Sequence, residues 1–238
     1  GAVMKRRDFI VRSAVVGAGI GMGLSTDWRD LLGKPTRRDS FVFDAASREL
    51  AMRALDAARA AGATYADVRI NRNRTQGVST RERQISGLFD NDTEGFGVRV
   101  IAGGSWGFAA SRILTFEEAE RVARQAVAQA KANASARRRP LELAPTEVYP
   151  NGVWRSPIEI DPFDIPIEEK VSLLLEANAA ALRVKGARFV NSSMVFLRED
   201  RFFANTEGTV TEQTIYRCWP QMSVTAVADD GSDFQQRN

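Results

Sequence analysis

Apolar residues recur along this chain with two different periods, and the period switches from segment to segment. Leu50, Ala54, Ala57, Ala58 and Ala61 fall on one side of a helical repeat, with Asp44 placed to cap it and Gly62 to stop it. The period then drops to two. Ala66, Val68 and Ile70 alternate with Asp67, Arg69 and Asn71, which predicts a half-buried strand. Thr75 to Leu88 reads as a longer polar strand with Val78 and Ile85 as its apolar points. Phe96, Val98 and Val100 alternate with Gly97 and Arg99, and Gly103-Gly104 turns the chain into Ser105-Trp106-Gly107-Phe108. Consecutive strands joined by turns predict an antiparallel meander.

The helical period returns at Thr115-Phe116-Glu117-Glu118, a capping box, and runs through Ala119, Val122, Ala123, Ala126, Val127 and Ala130 to near Asn133. Six of the eight prolines then fall between 140 and 166. Proline suits neither a helix interior nor a central strand, so this stretch is predicted as an extended crossing. Ile165-Pro166 opens a third helix, expected to face inward through Ile167, Val171, Leu174, Ala181 and Leu182 and to end at Gly186. Strands are predicted over 189–198, 201–206, 209–217 and 222–228, with a Glu207-Gly208 turn. That order is an α+β fold, helices packed on antiparallel sheet.

Composition then narrows the chemistry. The 238 residues are 44% hydrophobic and 26% charged, ordinary for a globular protein, and no run reaches the ~18 apolar residues of a membrane span. One cysteine, Cys218, and no histidine exclude every Ser-His, Cys-His or His-ligated zinc mechanism built from this chain alone. No catalytic, cofactor-binding or metal-ligating residue is therefore assigned. The net charge of +3 sits wholly in residues 1–26, where Lys5, Arg6, Arg7 and Arg12 face only Asp8. The remaining chain is formally neutral, which argues against nucleic acid as a partner despite a pI near 9.3.

Residues 1–26 have a pattern of their own. Arg6-Arg7-Asp8-Phe9-Ile10 precedes a weakly apolar, glycine-rich run from Ala14 to Leu24. Arg6, Arg7 and Phe9 are predicted to form a twin-arginine signal, which exports folded proteins to the periplasm; read instead as a basic arm, the segment leaves the protein cytoplasmic. A polar linker is expected over 27–43.

Other motifs read as structure. Gly95-x-Gly97 and Gly103-Gly104-x-x-Gly107 lack the strand-to-helix context of a phosphate cradle. Asp229-Asp230-Gly231-Ser232-Asp233 lacks the spacing of a calcium loop and reads as a turn. Glu117, Glu118, Glu168 and Glu169 sit in first helical turns, where carboxylates complement the dipole. Arg137 to Arg139 reads as a solvated linker, Cys218 has no histidine to activate it, and Trp106 and Phe108 read as sheet core.

Taken in order, Ala66-Asp67-Val68-Arg69, Gly95-Phe96-Gly97-Val98-Arg99-Val100-Ile101, Gly104-Ser105-Trp106-Gly107-Phe108-Ala109, the helix from Thr115, Glu169-Lys170-Val171 and Asn205-Thr206-Glu207-Gly208 resemble the N-terminal half of the TldD/PmbA metallopeptidases. The resemblance covers about residues 44–238. It implies an N-terminal α+β domain followed by a β-rich domain that carries zinc on H-E-x-x-x-H and a cysteine, a region expected beyond Asn238 and absent from this chain. Cys218 lies in the wrong domain to be that cysteine. The implied activity is a zinc-dependent peptidase acting on peptides or unfolded proteins, as a homo- or heterodimer, with this half shaping substrate channel and subunit interface. The family also holds PmbA-type subunits without the zinc motif, and a non-catalytic partner or regulatory module is the alternative.

Overall fold

The computed structural model describes residues 43–136, 139 and 141–238. The signal residues Arg6, Arg7 and Phe9, linker residues 27–42 and Arg137 and Arg138 lie outside the described residues. Helix α1, Ala45–Ala60, begins where expected: the Asp44 carboxylate accepts the Ser47 N–H at 2.8 Å. Strands β1 (Tyr65–Arg81), β2 (Gln84–Ala102) and β3 (Ser105–Ser111) follow as a meander. Helix α2, Phe116–Ala134, is capped by Thr115. After the proline-rich crossing and its short β4 (Gly152–Arg155) come α3 (Ile167–Leu182), β5 (Ala187–Asn205), β6 (Val210–Val227) and β7 (Phe234–Arg237).

All the described strands join one sheet, ordered β3-β2-β1-β5-β6-β4, with β7 beside β6. Every pairing is antiparallel except β4 with β6, a four-residue parallel contact that the sequence reading did not foresee. The predicted strand 75–88 is instead the tip of the β1–β2 hairpin. Its turn, Glu82-Arg83, places Glu82 at φ 47, without the Gly, Asn or Asp that announces such turns. The breaks expected inside the C-terminal strands do not exist either. β5 runs through Glu199-Asp200 and β6 through Pro220, which is tolerated because, among the described residues, no strand pairs with the outer edge of β6 between its β4 and β7 contacts.

The three described helices lie on one face of the sheet. Ala66, Val68, Ile70, Val98, Phe202 and Ala204 form the core under α1 and α2, all within 3% exposure. The inward stripe of α2 is mainly alanine because the helix rides directly on β3. A Cβ at Gly107 would stand 2.0 Å from the Ala126 carbonyl oxygen. In β3 it is therefore Ser105, Gly107 and Ala109 that face inward; Trp106 and Phe108 point the other way, and Phe108 is 58% exposed, which corrects their reading as core. Under α3 the expected face also shifts. Lys170, Leu174 and Asn178 are buried, rather than the wholly apolar set predicted.

Candidate functional site

Two polar regions stand out, one on each face of the sheet. The first lies beneath α3. Lys170 Nζ donates to the side-chain oxygen of Gln76 and sits 4.5 Å from the centre of the Phe196 ring and 5.9 Å from that of Phe163. Gln76 in turn donates to Asp90 at 2.9 Å, and Arg74 grips the same carboxylate at 2.8 and 3.1 Å. Burial, then the Arg74 guanidinium, pulls the Lys170 ammonium down to about 8. Burial alone would raise Asp90, but hydrogen bonds from Arg74 and Gln76 outweigh it and hold the carboxyl below its usual range. The crossing is tied in by Tyr216, whose hydroxyl donates to Asp161 at 2.6 Å. Every member of this group is committed to a protein partner. The arrangement stitches α3 and the crossing to β1, β2 and β6, and gives none of these residues an evident part in catalysis.

The second region is the opposite face, which carries no helix among the described residues. Alternation along the strands puts Asp67, Asn71, Asn73 and Thr75 of β1 there, with Glu199 and Arg201 of β5 and Arg217 of β6. Rows of ion pairs cross it. Arg99 holds Asp67 at 2.7 Å, and Arg201 and Arg217 hold Glu199 at 2.7 and 2.9 Å. Those contacts outweigh burial and keep Glu199 below its ordinary range. Beside Glu199, the side-chain oxygen of Asn73 is shielded from solvent and has no hydrogen-bond partner among the described residues. At the hairpin end of the sheet a cavity of ≈ 700 Å³ opens, lined by Ser79, Ser86, Asn191, Ser193, Gln221 and Ser223 among others. Hydroxyl and amide groups of this kind both donate and accept, as a peptide backbone does.

The motifs singled out in the sequence do not converge on either region. Gly95 and Gly97 lie mid-strand in β2, where Gly97 accommodates the Phe108 ring, and Gly103 and Gly104 form the β2–β3 turn with φ 59 and 73. Residues 229–233 are the turn between β6 and β7, closed by the Ser232 N–H donating to Asp230 at 3.0 Å. Glu118 is engaged by Arg121. Cys218 lies on β6 beside Phe196, where burial pushes its thiol up and Lys170 pulls it back. Gln76, Asp90 and Asn73 went unremarked in the sequence, and Lys170 entered only as part of the Glu169-Lys170-Val171 helix start, with no role. The four-residue spacing of Lys170, Leu174 and Asn178 was the available signal, masked by the polarity of its ends. A zinc site of the implied family does not fit this chain: it has no histidine and one cysteine, and no group of three potential acidic or cysteine ligands gathers among the described residues. No described helix is long and apolar enough to cross a membrane.

Comparison with known proteins agrees with the fold. Residues 66–130 match the PmbA/TldA metallopeptidase domain 1, and residues 160–238 match the PmbA/TldA metallopeptidase central domain. The chain belongs to the PmbA/TldD metallopeptidase family. Its two family segments build one sheet, β1–β3 from the first and β5–β7 from the second. A metalloprotease from Methanothermobacter thermautotrophicus is 29% identical over 72% of this chain and 36% of its own length; another from Methanocaldococcus jannaschii is 28% identical over 72% and 37%. The aligned part thus spans little more than a third of these relatives. Among solved structures, a protein described as a modulator of DNA gyrase from Bacteroides thetaiotaomicron superposes with a TM-score of 0.61 at 14% identity, over 82% of this chain and 44% of that one. TldE from Thermococcus kodakarensis superposes with a TM-score of 0.57 at 18% identity, over 81% and 43%.

Proposed function

We propose that this chain is the substrate-handling part of an exported peptidase, and that its helix-free sheet face forms a wall of the chamber in which peptides or unfolded proteins are held. The carrying observation is Asn73. A shielded acceptor that finds no donor among the described residues costs about 1–3 kcal/mol, a cost that a donor on an apposed chain would relieve. The rows of paired arginines and carboxylates around it, and the hydroxyl-lined cavity further along, suit a wet surface apposed to another polypeptide rather than a hydrophobic interface. In this reading the face meets a TldD/PmbA-like subunit, and zinc and bond cleavage belong to a part of the protein outside this chain. The names of the two curated relatives favour the catalytic rather than the non-catalytic kind of subunit. We take the twin-arginine pattern of Arg6, Arg7 and Phe9 as the support for export of the assembly to the periplasm.

The test uses the protein encoded by the full reading frame. Ser193→Trp fills the cavity from an exposed face without touching the helical core. Cleavage of long peptides is expected to fall about tenfold or more at unchanged melting temperature, a loss of bound geometry rather than of chemistry. Undiminished cleavage by the folded variant overturns the chamber reading.

A further inference from the structure

The helix-free face sorts its charges by depth. Alternation along the strands places Asp67, Arg69 and Arg81 of β1 there, with Arg99 of β2, Glu199 and Arg201 of β5 and Arg217 of β6. Arg81 is matched by Glu82 of the hairpin turn at 3.2 Å. The other arginines fall into two pairs, each on one sunken carboxylate. The side chains of Asp67 and Glu199 are 1% and 10% exposed, whereas those of Arg69, Arg99, Arg201 and Arg217 are 39–56% exposed.

The two clusters differ in their surroundings. Beside Asp67, Arg69 and Arg99 lie over the rings of Phe203 and Trp106 at 5.6 and 4.7 Å. A further carboxylate stands close by, because Glu207 accepts at 3.3 Å from Asn205, the cross-strand neighbour of Asp67. Around Glu199 nothing comparable offsets the cations. It is the only carboxylate that Arg201 or Arg217 meets among the described residues, at 2.7 and 2.9 Å. The positions next to it on the face, Asn71, Asn73 and Thr75 of β1, Leu197 of β5 and Gln213 and Ile215 of β6, carry no charge. One anion thus serves two guanidinium groups, and it holds both in place from below.

We infer that Arg201 and Arg217 form a recognition site for the side-chain carboxylate of an acidic residue in the polypeptide that this face holds. The inference rests on the chamber reading and adds a preference to it. A second carboxylate, arriving from the solvent side, bridges the two guanidinium groups and completes an alternation of charge that Glu199 begins. Glu199 is a positioning residue here, since it orders two long side chains before the ligand arrives. Asn73, directly across from Glu199, has a side-chain oxygen without a donor among the described residues, and the backbone N–H of the incoming residue is a donor of the right kind. Lysine in the same place meets two cations and is rejected. Nucleic acid fits less well, because the apolar neighbours Leu197 and Ile215 are aliphatic and give a base no ring to stack on.

The test is fluorescence anisotropy with the protein encoded by the full reading frame, a chelator being present to prevent cleavage. The probe is a labelled, C-terminally amidated, threonine-rich peptide with one central glutamate, set against its glutamine twin. The glutamine peptide is expected to bind about tenfold more weakly, the worth of a charged over a neutral hydrogen bond, with the gap narrowing as salt is raised. Arg217→Gln leaves Arg201 on Glu199 and is expected to erase the preference while binding the glutamine peptide as before, which also shows that the variant is folded. Equal binding of the two peptides by the unaltered protein overturns the inference and leaves the chamber reading standing. Binding of neither peptide overturns it as well, and takes the chamber reading with it where the Ser193→Trp variant cleaves undiminished. A preference that survives Arg217→Gln overturns the assignment to this pair. A single-stranded oligonucleotide that displaces the glutamate peptide at a lower concentration than unlabelled peptide does overturns it in favour of a phosphate ligand.

Discussion

The side-chain oxygen of Asn178 on α3 accepts the hydroxyl of Ser192 on β5 at 2.8 Å, and the two residues close a ring through Thr80 of β1. Asn178 donates to the Thr80 oxygen at 3.0 Å, and Thr80 and Ser192 lie 2.8 Å apart, so each member can give one proton and accept one. A second amide proton reaches the Glu82 carbonyl in the hairpin turn at 3.0 Å. All three ring residues are buried, where such a closed circuit strengthens its own links.

Asn178→Ala therefore strands several buried groups at once. The expected loss is about 3 kcal/mol, read as a fall in the urea midpoint. A loss below about 1 kcal/mol would mean that water enters and repairs the ring.

Lys170 makes stability depend on pH in an unusual direction. Its folded value, about 8, lies below the ordinary 10.5, so between those limits the unfolded chain binds the proton and the folded chain does not. Stability then rises with pH across that window. Lys170→Met lacks this contribution, so unaltered chain minus variant should show a rising difference from pH 8 towards 10.5. Parallel curves for the two proteins would refute the assignment.

Gly107 and Gly77 separate two kinds of crowding. Gly107→Ala drives a methyl group into the backbone of α2 at Ala126 and Ala130 and should cost about 3 kcal/mol or more in a chemical melt. Gly77→Ala meets only the Phe89 ring, which can swing away on an open face, and should cost less than about 1 kcal/mol. Equal costs would contradict the close docking of α2 on β3.

The proposed export would rest on the paired guanidinium groups of Arg6 and Arg7. Replacing Arg6 and Arg7 with lysine preserves charge but removes the planar fork. A reporter fused behind residues 1–43 should lose periplasmic delivery; delivery at the original level would leave the segment as a basic arm.

Much of this architecture was legible because its signals are local. Asp44, Thr115 and Pro166 stand at helix starts, and the alanine-rich stripe of α2 and the paired glycines at 103–104 sit where their geometry demands. What escaped depends on partners distant in the chain. Glu199 and Asp200 look like a strand break until β6 brings Arg217 beside Glu199 and Thr214 beside Asp200, adding to the neighbouring Arg201 and Arg198. Lys170 looks solvent-facing until Gln76, 94 residues away, accepts its proton. The turn at Glu82 is taken by a residue that turn chemistry does not favour, held through its own carbonyl by Asn178. The helix-free face and its cavity emerge only from the register of four strands, which no single segment encodes.

The pairing of β1 with β5, from Asp67 with Asn205 to Arg81 with Asn191, joins the two family segments across the middle of the sheet. A nick in the crossing near Pro145 would leave two pieces, each with an inner strand laid bare along its whole length. Neither would resemble a finished domain, and each would present the other's missing neighbour. This chain is thus a natural candidate for a split protein, its halves silent when made separately and joined along a single seam when made together.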